Sequence, residues 1–165
     1  MLPFDILVKI GNFLYPKSWI NHCQVFKIDI HHYSNCDALF HYIIKSELNY
    51  PIEILEKLIF KCRDLDSLLQ LAAQNGRIDI VKTLSRNEEM WMNTLNPAAD
   101  NNLALRNAVE GNNKKVVELL LKDKRVDPTD EDDCAMKTAL RYGYTDIIML
   151  LLKDDRIKKN YGFSG

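Results

Sequence analysis

Residues Leu103 to Pro128 read LALRNAVEGNNKKVVELLLKDKRVDP, and the order of residue types in this stretch recurs twice elsewhere in the chain. CAMKTALRYGYTDIIMLLLKDDRI, from Cys134 to Ile157, repeats a small residue, a turn residue, a β-branched pair and a leucine run. SLLQLAAQNGRIDIVKTL, from Ser67 to Leu84, is a third copy. Within the central copy, Leu105 and Ala108 share one face of a short helix, and Asn112 stands where the chain must reverse. A second helix then carries Val116, Val117, Leu119, Leu120 and Leu121. That stripe is too wide for a helix with one buried side, so neighbouring copies are expected to cover it on several sides.

Register is fixed by the turn. Superposing the β-branched pairs Ile80-Val81, Val116-Val117 and Ile147-Ile148 aligns Gly76, Asn112 and Gly143, which are 36 and 31 residues apart. Helices commonly end on a left-handed residue, a conformation that Gly adopts freely and Asn at modest cost. Gly111, one residue earlier, is therefore expected in ordinary helical geometry, where alanine would be tolerated.

The three copies resemble ankyrin repeats, whose pattern TPLHxAAxxGHxxIVxLLL they follow with spacings that bracket the roughly 33 residues of such units. The resemblance implies an all-α solenoid of stacked antiparallel helix pairs with short finger loops. Its repeats would span 67–102, 103–133 and 134–165, after a degenerate repeat over 34–66 in which IEILEKLI superposes on IDIVKTLS but the turn Gly is absent. It also implies a protein–protein interaction module, in which finger residues and the outer positions of each first helix meet the partner. By register these are Asn102, Glu110, Asp133 and Arg141, together with Trp91 and Met92 in the long connection SRNEEMWMNTLNPAADNN. Large apolar side chains in such a connection either seal the edge of the stack or anchor a partner, since Trp and Met are enriched where interfaces concentrate their energy. The acidic run Asp130 to Asp133 reads as a solvated finger tip able to meet a basic partner.

The N-terminal segment 1–33 opens with LPFDILVKIGNFL, an amphipathic helix pattern in which Pro3 suits the first turn and Asp5 the positive end of the dipole. It reads as a helical cap for the first repeat. Leu2, Pro3, Ile6, Leu7 and Ile10 also resemble the opening of an F-box, LPxEILxxIxxYL, although the later F-box helix and its Trp are not recognisable. That second resemblance implies an alternative role, a substrate receptor for a cullin ubiquitin ligase that docks a Skp-type adaptor. The Asn-, Ile-, Lys- and Tyr-rich wording is similar to ankyrin repeat proteins of giant amoeba-infecting DNA viruses, which would imply a host-directed role in the host cell.

Charge and motif content narrow the function classes. The chain's 165 residues include 22 basic and 23 acidic side chains with a net charge of −1. The basic residues are scattered among acids, which does not suit nucleic acid. The longest apolar run, Ile147 to Leu152, is far below the roughly 20 residues that span a bilayer. With no basic segment leading into an apolar stretch at the N-terminus, an intracellular location, cytoplasmic or nuclear, and no membrane partner are expected. Cys23, Cys36, Cys62 and Cys134 lack paired short spacings, and His22, His31 and His32 do not complete a zinc pattern, so neither disulfides nor a metal site is expected. No GxSxG elbow, P-loop, HExxH or GxGxxG occurs, so neither enzymatic activity nor a cofactor is expected.

Overall fold

Three short reversals set the architecture. The computed structural model describes residues 44, 55, 56, 59, 62, 64–86 and 95–162, all within the unit Asp37–Gly165. In these residues the chain forms α1 (Leu65–Gln74), α2 (Ile78–Arg86), α3 (Ala99–Glu110), α4 (Lys114–Leu120), α5 (Asp130–Tyr142), α6 (Thr145–Leu151) and α7 (Asp155–Asn160), with no strand among them. The N-terminal segment, including Leu2, Pro3, Ile6, Leu7 and Ile10, lies outside the described residues, as do Trp91 and Met92.

Each reversal closes in the same way. The Arg77 N–H reaches back to the Ala72 carbonyl at 2.9 Å, that of Asn113 to Ala108 at 2.8 Å and that of Tyr144 to Ala139 at 2.9 Å. The residue before each donor is left-handed: Gly76 at φ 67°, Asn112 at φ 55° and Gly143 at φ 69°. These are Schellman-type helix ends, in which one left-handed residue lets two backbone N–H groups satisfy the helix's last carbonyls. Gly111 has φ −74°, so Asn112 is the residue that turns the chain.

The helix pairs α1–α2, α3–α4 and α5–α6 stack side by side, α1, α3 and α5 forming one layer and α2, α4 and α6 the other. Small residues set the close approach in the first layer: Ala72, Ala73, Ala104, Ala108, Ala135 and Ala139 are all buried. The second layer contributes Ile80, Val81, Leu84, Val116, Val117, Leu120, Ile147 and Leu151. Leu119 and Leu121 are only half-buried, so the wide stripe on α4 is covered fully on two sides of the helix and partly on a third.

The helices do not all begin alike. Asp64 caps α1 by accepting from the Ser67 N–H at 3.0 Å and the Ser67 hydroxyl at 2.6 Å, and these bonds hold its carboxyl below the usual carboxylate range. In α3 and α5, three consecutive residues are left-handed before the right-handed helix starts: Asp100, Asn101 and Asn102 (φ 52°, 57°, 56°), then Glu131, Asp132 and Asp133 (φ 51°, 56°, 57°). A left-handed conformation costs an L-residue roughly 1–2 kcal/mol, least for Asn and Asp. Five of the six positions are Asn or Asp, which is what lets the chain make this turn.

Candidate partner-binding surface

Two of the sequence-predicted contact residues, Asn102 and Asp133, close the left-handed turns. Asp66, Asn102 and Asp133 share one register position. The Asp66 carboxylate accepts the Asn96 N–H at 2.6 Å, and the Asn102 side-chain oxygen accepts the Asp127 N–H at 2.9 Å. Each therefore latches the chain entering the next repeat. Asn102 also donates to the Asp130 carboxylate at 2.7 Å, and Asp133 accepts from the Asn160 amide at 3.1 and 3.2 Å. Asn102 is 3 % exposed and Asp133 9 %, so both side chains are spent inside the stack. Both side chains point toward the neighbouring repeat, as does Asp66, which makes its bond from ordinary helical geometry.

A second staple runs beside this latch. Arg125 forms a two-pronged pair with Asp123, with nitrogen–oxygen distances of 2.7 to 3.2 Å, and reaches across to the Leu95 carbonyl at 3.2 Å. One repeat later, Arg156 pairs with Asp154 and donates to the Val126 carbonyl at 3.2 Å. The arginine hydrogen bonds hold Asp123 and Asp154 below the usual carboxylate range, against the opposing effect of partial burial. At Asp79 burial, the largest single influence, pushes the carboxyl up, but Arg77 at 2.8 Å and backbone hydrogen bonds together hold it below the usual carboxylate range.

The acidic run divides between these roles. Asp130, Asp133 and the exposed Glu131 bond to neighbouring repeats, Glu131 accepting from the Asn101 amide, whereas the exposed Asp132 accepts from the Lys137 ammonium of its own helix. Among the described residues no group of His, Cys, Asp and Glu is placed to hold a metal ion, and no helix is long and apolar enough to cross a membrane.

Glu110 and Arg141 occupy one register position near the ends of α3 and α5, and Gln74 is their counterpart at the end of α1. All three are exposed. Neither Glu110 nor Arg141 forms an ion pair or side-chain hydrogen bond among the described residues. The stack thus carries a row of long polar side chains, one per repeat, with opposite charges on its last two members. Aligned copies in the sequence were sufficient to find this row. They were not sufficient to separate it from the latch position, because an Asn or Asp beside a helix start reads the same whether it faces solvent or the next repeat.

A family model described as Ankyrin repeats (3 copies) matches residues 40–132 and 69–163. No curated protein and no solved structure matches the chain.

Proposed function

Since the chain belongs to the ankyrin repeat family, whose repeats are protein–protein interaction modules, we propose that it binds another protein across the row formed by Gln74, Glu110 and Arg141. The observation that carries this reading is that Glu110 and Arg141 are exposed and have no side-chain partner among the described residues, while the neighbouring Asn102 and Asp133 make inter-repeat bonds. Exposed side chains without a partner among the described residues are suited to selecting a partner, and the opposite charges on adjacent repeats favour one orientation of it. Trp91 and Met92, in the connection between the first two helix pairs, are assigned the apolar anchor of the same contact. No catalytic role is assigned. The partner's placement in a host cell, for a viral source, follows the sequence resemblance.

Photo-crosslinkers placed at positions 110 and 141 should capture the same partner from the native cell, and one at Lys82, on the second layer, should not. Charge reversal by Glu110→Arg or Arg141→Glu should weaken that capture at unchanged thermal midpoint. Equal capture from all three positions would remove the row from the interface. The F-box resemblance of Leu2, Pro3, Ile6, Leu7 and Ile10 supports a second reading, a ligase substrate receptor; binding of a purified Skp-type adaptor that Ile6→Asp abolishes would establish it.

A further inference from the structure

We propose that Asn75 is a deamidation site, held back by the closed turn after α1 and paced by opening of the junction between the first two helix pairs. The chain contains one Asn-Gly step, and it is Asn75–Gly76, at the end of α1. In such a step hydroxide takes the proton from the glycine backbone nitrogen, which then attacks the Asn side-chain carbonyl carbon. A new C–N bond forms and the bond to the side-chain nitrogen breaks. Ammonia leaves with a proton taken from water, which regenerates hydroxide. Water then opens the five-membered imide at either carbonyl, giving aspartate or the isomer whose main chain runs through the side-chain carbon. Glycine in second place has no Cβ to shield the attacking nitrogen.

Both reacting groups are engaged in the folded turn. The Gly76 N–H donates to the Ala73 carbonyl at 3.3 Å, and the Asn75 side-chain amide donates to the Leu71 carbonyl at 2.9 Å. Asn75 has ψ 6°, which sets the Gly76 nitrogen over the Asn75 backbone nitrogen and away from its side chain. Rotating that bond to bring the nitrogen onto the side-chain carbon carries Gly76 out of the turn and breaks the 2.9 Å bond from the Arg77 N–H to the Ala72 carbonyl. The clamp on this rotation belongs to the next repeat. The Asn113 amide donates to the Ala73 and Gln74 carbonyls at 2.8 and 2.9 Å, and a Cβ on Gly76 would fall 2.5 Å from its side-chain oxygen. The turn therefore reacts only when α1 parts from Asn113, a local opening that costs less than global unfolding.

The products do not fit the turn from which they come. An aspartate at position 75 has no amide to give the Leu71 carbonyl, and its charge stands at the negative end of the α1 dipole. The isomer adds a methylene to the main chain between the clamped Gln74 carbonyl and a glycine packed against Asn113. Each product thus weakens the clamp that slowed its formation. Because ammonia is lost, the loosening of this junction is one-way.

The purified full chain, incubated at mildly alkaline pH both folded and in urea, tests this when conversion at every Asn is followed by peptide mass spectrometry. In urea Asn75 should convert before any other Asn. The folded chain should convert at Asn75 more slowly by about 10-fold or more, since only its open fraction reacts. Asn113→Asp keeps the size of the side chain and its preference for a helix start but cannot donate to the two carbonyls. It should speed conversion of the folded chain several-fold and leave the rate in urea unchanged. If circular dichroism showed that variant to be unfolded, Asn113→Ser, which also suits a helix start, would take its place. A folded parent that converts as fast as the unfolded chain overturns the proposal, and so does earlier conversion at another Asn. A helical Asn113 variant with the parent's folded rate overturns it as well, because the opening would then not involve the junction.

Discussion

Val109 and Leu140 hold the same place on consecutive repeats, yet one is sealed and the other stands half in water. The same contrast separates Gly76, pressed against Asn113, from Gly143, beside which a Cβ would meet nothing among the described residues. Neither difference originates in the repeat that carries the residue. The hydrophobic core of such a stack is supplied by the neighbour, so identical local patterns give a buried or an exposed side chain according to what lies beside them. Closed junction and open face can therefore be told apart by substitutions at matched positions.

The largest effect belongs to the closed side. Leu120, buried between α4 and its neighbours, should lose roughly 2–5 kcal/mol of stability when cut back to alanine, a large fraction of what holds a domain of this size. Leu140→Ala on the open face should cost well under ~1 kcal/mol. Denaturant midpoints of the two variants measure the contrast directly. Equal shifts would mean that the open face is as well packed as the interior, and the comparison would collapse.

A more selective test concerns the turn. Gly111 has the helical φ expected of it, but tolerance for alanine does not follow, because its freedom is needed for a different reason. A Cβ there would press into the Gln74 carbonyl oxygen of the preceding repeat and lie 2.5 Å from Asn113 Nδ2, and that same amide binds the Ala73 and Gln74 carbonyls at 2.8 and 2.9 Å. A backbone carbonyl cannot swing aside as a side chain can. Gly111→Ala should therefore destabilise by about 1–3 kcal/mol, the usual cost of overpacking. Asn112→Val should cost about 1–2 kcal/mol through its positive φ, and Asn112→Gly should be close to neutral. On the open side, Gly143→Ala should show the cost of the left-handed conformation alone. If Gly111→Ala proved harmless, the tight approach of α3 to α1 would be refuted.

These positions also mark how far the sequence could be read. Helix pairs, the identity of Asn112 as the turning residue and the burial of Val116, Val117 and Leu120 follow from periodicity and conformational preference, which each repeat carries within itself. The left-handed runs Asp100–Asn102 and Glu131–Asp133 do not, although their near-exclusive Asn and Asp content was the available signal. Nor does the inward assignment of Asn102 and Asp133, because the groups that turn them inward, the Asp127 N–H and the Asn160 amide, belong to the following repeat. Of the contact residues inferred from register, Glu110 and Arg141 keep an outward position and carry the proposed row.

The smallest expected effect concerns the arginine staples, and it asks whether the finger edge is indifferent to the closed and open states of the helices. Asp123–Arg125 and Asp154–Arg156 have nearly the same geometry, at 2.7 and 2.8 Å, although the first lies at a closed junction and the second beside the open face. Both arginine side chains are 43 % exposed, so each pair is worth at most about 1 kcal/mol after solvent screening. Asp123→Asn and Asp154→Asn should then lower stability at neutral pH by similar, small amounts. The pH dependence gives the sign. Each carboxyl titrates lower in the folded chain than the ordinary 3.8, so between the two values the unfolded chain binds more protons. The stabilisation is complete above the ordinary value and is lost as the pH falls through the folded one. The gap between parent and variant, measured by denaturation across that range, should close on the acid side for both staples. A gap that persisted in acid would assign the effect to arginine packing on the Leu95 and Val126 carbonyls. If only Asp154→Asn were silent at neutral pH, the finger edge would depend on helices seated beside it.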